Sequence, residues 1–220
     1  MKSENIAEIE KALRAAGIPP QLDEDQSRLL IRLWQRLTDG SSITPEQIEQ
    51  IFSAIQIPFD TGNAFINKVS ERDGEGNVVG IFGLSQLKHP HQFEVKGHTF
   101  STWCAWDTMF LPALLKQTAM IRTYCPATKE KIRLTITPEK VEHVAPPGTV
   151  LSMVVPEIVK GGCDSSEEIR CSFCQLVHFF SSPEAAKEWV LEKNRDIAIL
   201  SVEEGYRLGQ LAFEKLHKYI

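Results

Sequence analysis

Asp73-Gly74-Glu75-Gly76-Asn77-Val78-Val79-Gly80-Ile81-Phe82-Gly83-Leu84 is where the hydrophobic period of the chain changes. Asp, Gly and Asn crowd its first five positions, and these residues accept turn geometry most readily, so residues 73–77 read as a turn between short β segments. Residues 78–84 are the second of those segments. Upstream the period is helical. Ile6, Ile9, Leu13 and Ala16 recur on one helix face, and Gly17 with Pro19 and Pro20 closes the run. Leu29, Leu30, Leu33, Trp34 and Leu37 predict a second helix ending at Gly40. Thr44 as N-cap, Pro45 at the first helical position and Gln47 as the reciprocal partner predict a third, with Ile48, Ile51, Phe52 and Ile55 on its buried face. A fourth, over residues 61–69, presents Phe65, Ile66 and Val69. Helices followed by a hairpin make residues 1–84 a winged-helix-like N-terminal domain.

Beyond residue 84 helix and strand signals mix, so the fold class is α+β, with a second, α+β domain expected over residues 85–220. Phe93-Glu94-Val95 and residues 98–100 flank a Lys96-Gly97 turn, and further strands are expected at 120–124, 131–136, 151–155 and 172–180. The apolar run 100–119 reads as helical, with Pro112 as a break or a fresh first turn. Ser182-Pro183-Glu184 opens another helix, Ser201 with Glu204 caps the last, and residues 161–168 read as a loop.

Bulk properties narrow the function classes. The 220 residues are 42% hydrophobic and 24% charged, as expected of a globular chain with a real core, and no apolar run is long enough to span a membrane. The N-terminus lacks the apolar core of a cleaved signal, which points to a cytoplasmic protein. Residues 1–80 hold eight Lys/Arg against thirteen Asp/Glu, while residues 81–220 hold sixteen of each. The winged-helix-like part therefore carries the whole net negative charge, and phosphate backbones would be repelled, so no nucleic-acid partner is expected. Five cysteines, an odd number, in a reducing compartment argue against a disulfide framework.

Chemistry concentrates in Ser101-Thr102-Trp103-Cys104-Ala105-Trp106-Asp107. With Ser101 as N-cap, Cys104 would sit in a first helical turn, where free N–H groups lower a thiol pKa. Asp107 would share that face, between aromatic walls that favour its protonated form. Cys171-Ser172-Phe173-Cys174 reads as a strand that sends its two thiols to opposite faces, which argues against a chelating or redox pair. Nothing local selects Cys174 over Cys171. His178 reads as a core histidine, and His89-Pro90-His91 as part of a solvated loop. Cys125 lies at a tip between two strands. A four-sulfur zinc site is disfavoured, because only one local Cys-x-x-Cys pair exists.

From about residue 40 onward the chain resembles the organomercurial (alkylmercury) lyases of bacterial mercury resistance. The resemblance rests on Trp103-Cys104-Ala105-Trp106-Asp107-Thr108 followed by Phe110-Pro112, Cys125-Pro126-Ala127-Thr128, Ser172-Phe173-Cys174 before Val177–Phe180, and Gly205–Gln210. It implies that Cys104, Cys174 and Asp107 are the catalytic residues and hold the mercury of substrate and product, and that Cys125 is structural. Some relatives carry a second cysteine where this chain has Gln175, whereas Cys163 and Cys171 match no family position. The implied reaction is protonolysis of a carbon–mercury bond, for which two soft thiolates suit the soft metal. The proton then passes through Asp107, either because apolar walls raise its pKa or because it first accepts a proton from a cysteine. No resident cofactor is implied; low-molecular thiols or mercuric reductase would take the Hg(II). The competing classes are a mercury-sensing DNA-binding protein, which the charge split disfavours, and a thiol oxidoreductase.

Overall fold

Four helices open the chain: α1 (Ile6–Ala15), α2 (Glu24–Leu37), α3 (Pro45–Ile55) and α4 (Phe59–Val69). They are seen in a computed structural model that describes residues 6–155, 166–193 and 195–220. The capping box expected at Thr44 forms, with Gln47 N–H donating to Thr44 Oγ1 and Thr44 N–H to Gln47 Oε1. A second box, absent from the sequence reading, joins Asp23 and Gln26 at the start of α2.

The expected hairpin follows as β1 (Ser70–Arg72) and β2 (Val78–Ile81), and Asp73 closes its turn by accepting from the N–H groups of Glu75 and Asn77. The chain reverses again at once into β3 (Leu84–Ser85). Ile81 pairs with Leu84, so Phe82 and Gly83 form a two-residue turn, with φ of 34° and 92°. Positive φ at both central positions is the geometry that matches strand twist in tight hairpins. Trp34 donates its indole N–H to the Ile81 carbonyl at 3.0 Å and so ties α2 to this turn.

β4 (His91–Val95) and β5 (His98–Thr102) form the next hairpin, and α5 (Asp107–Leu115) leads to β6 (Ala119–Tyr124), β7 (Lys131–Ile136) and β8 (Val141–Ala145). These strands and the first three make one antiparallel sheet in the order β1-β2-β3-β5-β4-β6-β7-β8. The border expected between residues 84 and 85 falls inside β3, which pairs with β5, so the sheet runs through it. β9 (Val150–Val154) stands between β10 (Phe179–Phe180) and β11 (Ile197–Ser201) in a second sheet. α6 (Ser166–Ser172), α7 (Pro183–Leu191) and α8 (Val202–Ala212) complete the α+β fold. The Ser201–Glu204 capping box forms as expected.

Three expectations are corrected. Residues 172–180 do not form one strand: α6 ends at Ser172, a short 3-10 turn spans Cys174–Leu176, and only Phe179–Phe180 is extended. Ile169 and Phe173, one helical turn apart, explain this, because both face the same apolar cleft. Of the loop expected at 161–168, residues 166–168 are helical and the rest, with Cys163, lies outside the described residues. Pro112 lies within α5 and does not end it. One contiguous core joins the opening helices to both sheets, with Trp34, Phe93, Phe110, Phe179 and Phe180 fully buried. Among the described residues no helix is long and apolar enough to cross a membrane.

Candidate active site

Strand β5 continues through Ser101 and Thr102, which pair with Ser85 and Leu84, so Ser101 is no N-cap and α5 begins only at Asp107. Residues 103–106 make a tight turn instead. Thr102 Oγ1 donates to the Cys104 carbonyl at 2.9 Å, and the Cys104 N–H donates to Asp107 Oδ2 at 2.8 Å. The carboxyl thus fixes the backbone of the cysteine that precedes it. Trp103, Cys104, Trp106 and Asp107 are all buried.

The structure separates Cys174 from Cys171. Cys171, in the last turn of α6, is exposed, whereas Cys174 is buried and hydrogen-bonded through its side chain to Cys104. All three expected site residues, Cys104, Cys174 and Asp107, come together, and neither cysteine is in a disulfide. The other candidates lie elsewhere. Cys125 is buried between β6 and β7, where its sulfur accepts the Thr128 N–H at 3.4 Å. His178 is held by the Gln175 carbonyl at 2.7 Å. Of the loop expected at His89-Pro90-His91, His91 is instead buried at the start of β4, whereas His89 stays in the loop before it, half-buried, where its Nε2 meets Glu71 Oε1 at 3.1 Å. Among the described residues no cluster of three or more His, Cys, Asp and Glu side chains is built to hold a metal ion.

Burial sets the electrostatics. It pushes the Cys104 thiol well above the usual range, and the hydrogen bond with Cys174 and the charge of Asp107 act in the same direction. The low-pKa thiol expected at a helix start is therefore not what the fold provides, because Cys104 precedes the helix and is sealed from water. Burial also pushes the Asp107 carboxyl up to about 7, although the Cys104 N–H and thiol and the charge of His89 pull it down. That carboxyl exchanges its proton near neutrality.

Asp107 and Cys174 line a narrow cleft of about 330 Å³, open mouth included, walled by Ile18, Pro19, Phe82, Trp106, Phe173 and Phe213. Gly83 completes the wall at the carboxyl. A Cβ there would lie 2.7 Å from Asp107 Cγ, so only glycine lets the turn close on the acid. Sequence reasoning missed Gly83 and Phe82; the signal available was the Phe-Gly pair between two β segments.

Two buried thiols, that of Cys104 held well above the usual thiol range, beside a carboxyl at about 7 in an almost wholly apolar cleft combine soft metal ligands with a group able to exchange a proton. Residues 84–214 match the family model of MerB, the alkylmercury lyases. The chain is 36% identical over 213 residues to an alkylmercury lyase of Bacillus cereus, covering 96% of this chain and 92% of that one. It is 38% identical over 185 residues to one of Streptomyces lividans, covering 84% and 81%, and 42% identical over 147 residues to one of Pseudomonas putida, covering 67% and 65%. A crystal structure of the mercury-bound form of MerB2 shares the fold, with a TM-score of 0.76 at 22% identity over 96% of this chain and 99% of that chain. This chain belongs to the alkylmercury lyase family, enzymes that cleave the carbon–mercury bond.

Proposed function

We propose that the chain cleaves organomercurials with Cys104 and Cys174 as sulfur ligands and Asp107 as the group that delivers the proton to carbon. The observation that carries this is the contact of the two buried thiols beside a carboxyl at about 7. An organomercurial arrives as R–Hg–SR′, mercury held by carbon and by the sulfur of a small thiol. One cysteine thiol displaces that sulfur, and its proton leaves with R′SH. The second thiol then joins mercury as its proton passes to Asp107. With two sulfurs on the metal, electron density shifts onto carbon, which takes the proton from Asp107 and leaves as R–H. Mercury remains between two sulfurs. In total one R–Hg–SR′ and two thiols give one R–H, one R′SH and one mercury bis-thiolate, so every proton is accounted for.

Two sulfurs are needed because one alone gives a stable linear R–Hg–S species. The apolar walls exclude water, which keeps the Cys104 thiol neutral until mercury arrives and holds the proton at Asp107. Small thiols, or the cysteines of mercuric reductase, then extract the metal by exchange, which suits a reducing cytoplasm. Evolution of methane from methylmercury with excess thiol tests the scheme. Cys104→Ser and Cys174→Ser should each release none, and Asp107→Ala should bind mercury without releasing methane. Full turnover by Cys174→Ser would remove the two-sulfur mechanism.

A further inference from the structure

Glu71 is a buried carboxylate with no part in the scheme above. It lies on β1, opposite Gly80 of β2 in the sheet register. A Cβ at position 80 would stand 2.2 Å from Glu71 Oε2 and 2.8 Å from Ser85 Oγ, so the absence of a side chain there is what makes room for the carboxylate. Two basic groups meet it. The Arg170 guanidinium lies 2.6 Å from Oε1, and His89 Nε2 lies 3.1 Å from the same oxygen. Burial pushes this carboxyl up, but bonds from His89 and Ser85 outweigh it and leave it below the usual range.

Arg170 joins two parts of the candidate site. It sits on α6, one turn before Cys174, and its guanidinium carbon lies 5.2 Å from the centre of the Trp103 ring, next to Cys104 in the chain. We propose that Glu71 is a positioning residue, which acts through Arg170 to hold the Cys174-bearing segment against the Cys104 turn. The proposal rests on the reading of Cys174 as a reacting sulfur. Its physical basis is the difference between the two contacts of Arg170. Stacking of a half-exposed guanidinium on an aromatic face is weak, whereas a charge-assisted bond to a buried carboxylate has a fixed length and direction. Without Glu71 the guanidinium has water to turn to, and the 3-10 turn carrying Cys174 loses its link to β1. A misplacement of about 1 Å at a reacting group is enough to slow catalysis by about a hundred-fold.

The test uses the full-length chain with Glu71→Gln, Arg170→Met and the double variant. Steady-state methane release is measured alongside the N-ethylmaleimide labelling rate of each cysteine, resolved by mass spectrometry. For Glu71→Gln, kcat should fall by about ten- to a hundred-fold with KM within about two-fold, because the loss is one of alignment. Cys174 should label about ten-fold faster, while Cys104 and Cys125 keep their wild-type rates. Arg170→Met should give the same pattern, and the double variant should be no worse than either single one. Unchanged kcat and labelling, losses that multiply in the double variant, or labelling that rises equally at Cys104, Cys125 and Cys174 would each overturn the proposal. Should Glu71→Gln fail to fold, Arg170→Met carries the same readouts. If Cys174→Ser keeps full turnover, the two-sulfur mechanism fails, while the labelling rates still decide whether Glu71 anchors that segment.

Discussion

Replacing Asp107 by Asn should make the protein more stable and inactive, and the gain should depend on pH in a calculable way. Burial raises the Asp107 carboxyl from 3.8 to about 7, so the folded state favours its neutral form. Below about pH 4 the group is neutral in both folded and unfolded chains and costs nothing. As pH rises from there through about 7, the unfolded chain ionises freely while the folded one resists, and stability is lost. The loss is complete above about 7; a shift of roughly three units at about 1.4 kcal/mol each sets its ceiling near 4 kcal/mol. Asn never ionises, and its amide oxygen still accepts the Cys104 N–H that Asp107 holds at 2.8 Å. The variant should therefore match the wild type near pH 4 and exceed it by about 2–4 kcal/mol near pH 9. Urea melts of both proteins across that range, under reducing conditions, measure the difference, and the other carboxylates cancel because both chains carry them. A stability difference that stays flat with pH would show that Asp107 titrates as an ordinary exposed acid, and the proton-delivery argument would fall with it.

Gly83→Ala should cost about 2–4 kcal/mol and abolish turnover, since its Cβ meets Asp107 at 2.7 Å on a backbone with φ of 92°; a wild-type thermal midpoint would refute the close approach. Single-turnover cleavage of methylmercury should speed up as pH rises through about 7, where Asp107 becomes the carboxylate that accepts the cysteine proton. A rate that falls instead would mean that Asp107 enters the reaction already protonated and supplies its own proton, and the relay from the cysteine would be refuted. Cys171→Ser should leave methane release within about two-fold of wild type, because that thiol is exposed and outside the cleft; a large loss would make it a station for incoming mercury.

The Thr44 cap, the buried Ile48, Phe52 and Ile55 of its helix and the turn at residues 73–77 were legible because local chemistry decides them, while Ile51, expected on the same face, is only partly buried. The segment 166–180 was not. Its hydrophobic residues fit a strand's alternation as well as a helix's turn, and what chose the helix was a cleft to which Ile169 and Phe173 both turn. The same limit hid Glu71, whose partners His89 and Arg170 lie 18 and 99 residues away in the chain. Spacing along a sequence says nothing about such pairs. The glycines that frame the site were visible as letters, but Gly80 and Gly83 acquire meaning only once the carboxyls of Glu71 and Asp107 are seen to fill the space a Cβ would take.

The position of Cys104 alters the chemistry as well as the map. A thiol in the first turn of a helix would be a standing thiolate, able to capture any soft metal ion and open to oxidation. Cys104 lies instead in a sealed turn, where burial keeps it protonated and Cys174 shares its hydrogen bond. A neutral thiol must lose its proton at the moment mercury binds, and Asp107, at about 7, is the acceptor at hand. Carbon–mercury cleavage needs a proton at the same place an instant later. On the proposed mechanism the raised thiol pKa is therefore part of the reaction: it makes metal binding release the proton that cleavage consumes, and it leaves the pair unreactive until a ligand able to displace that proton enters the cleft.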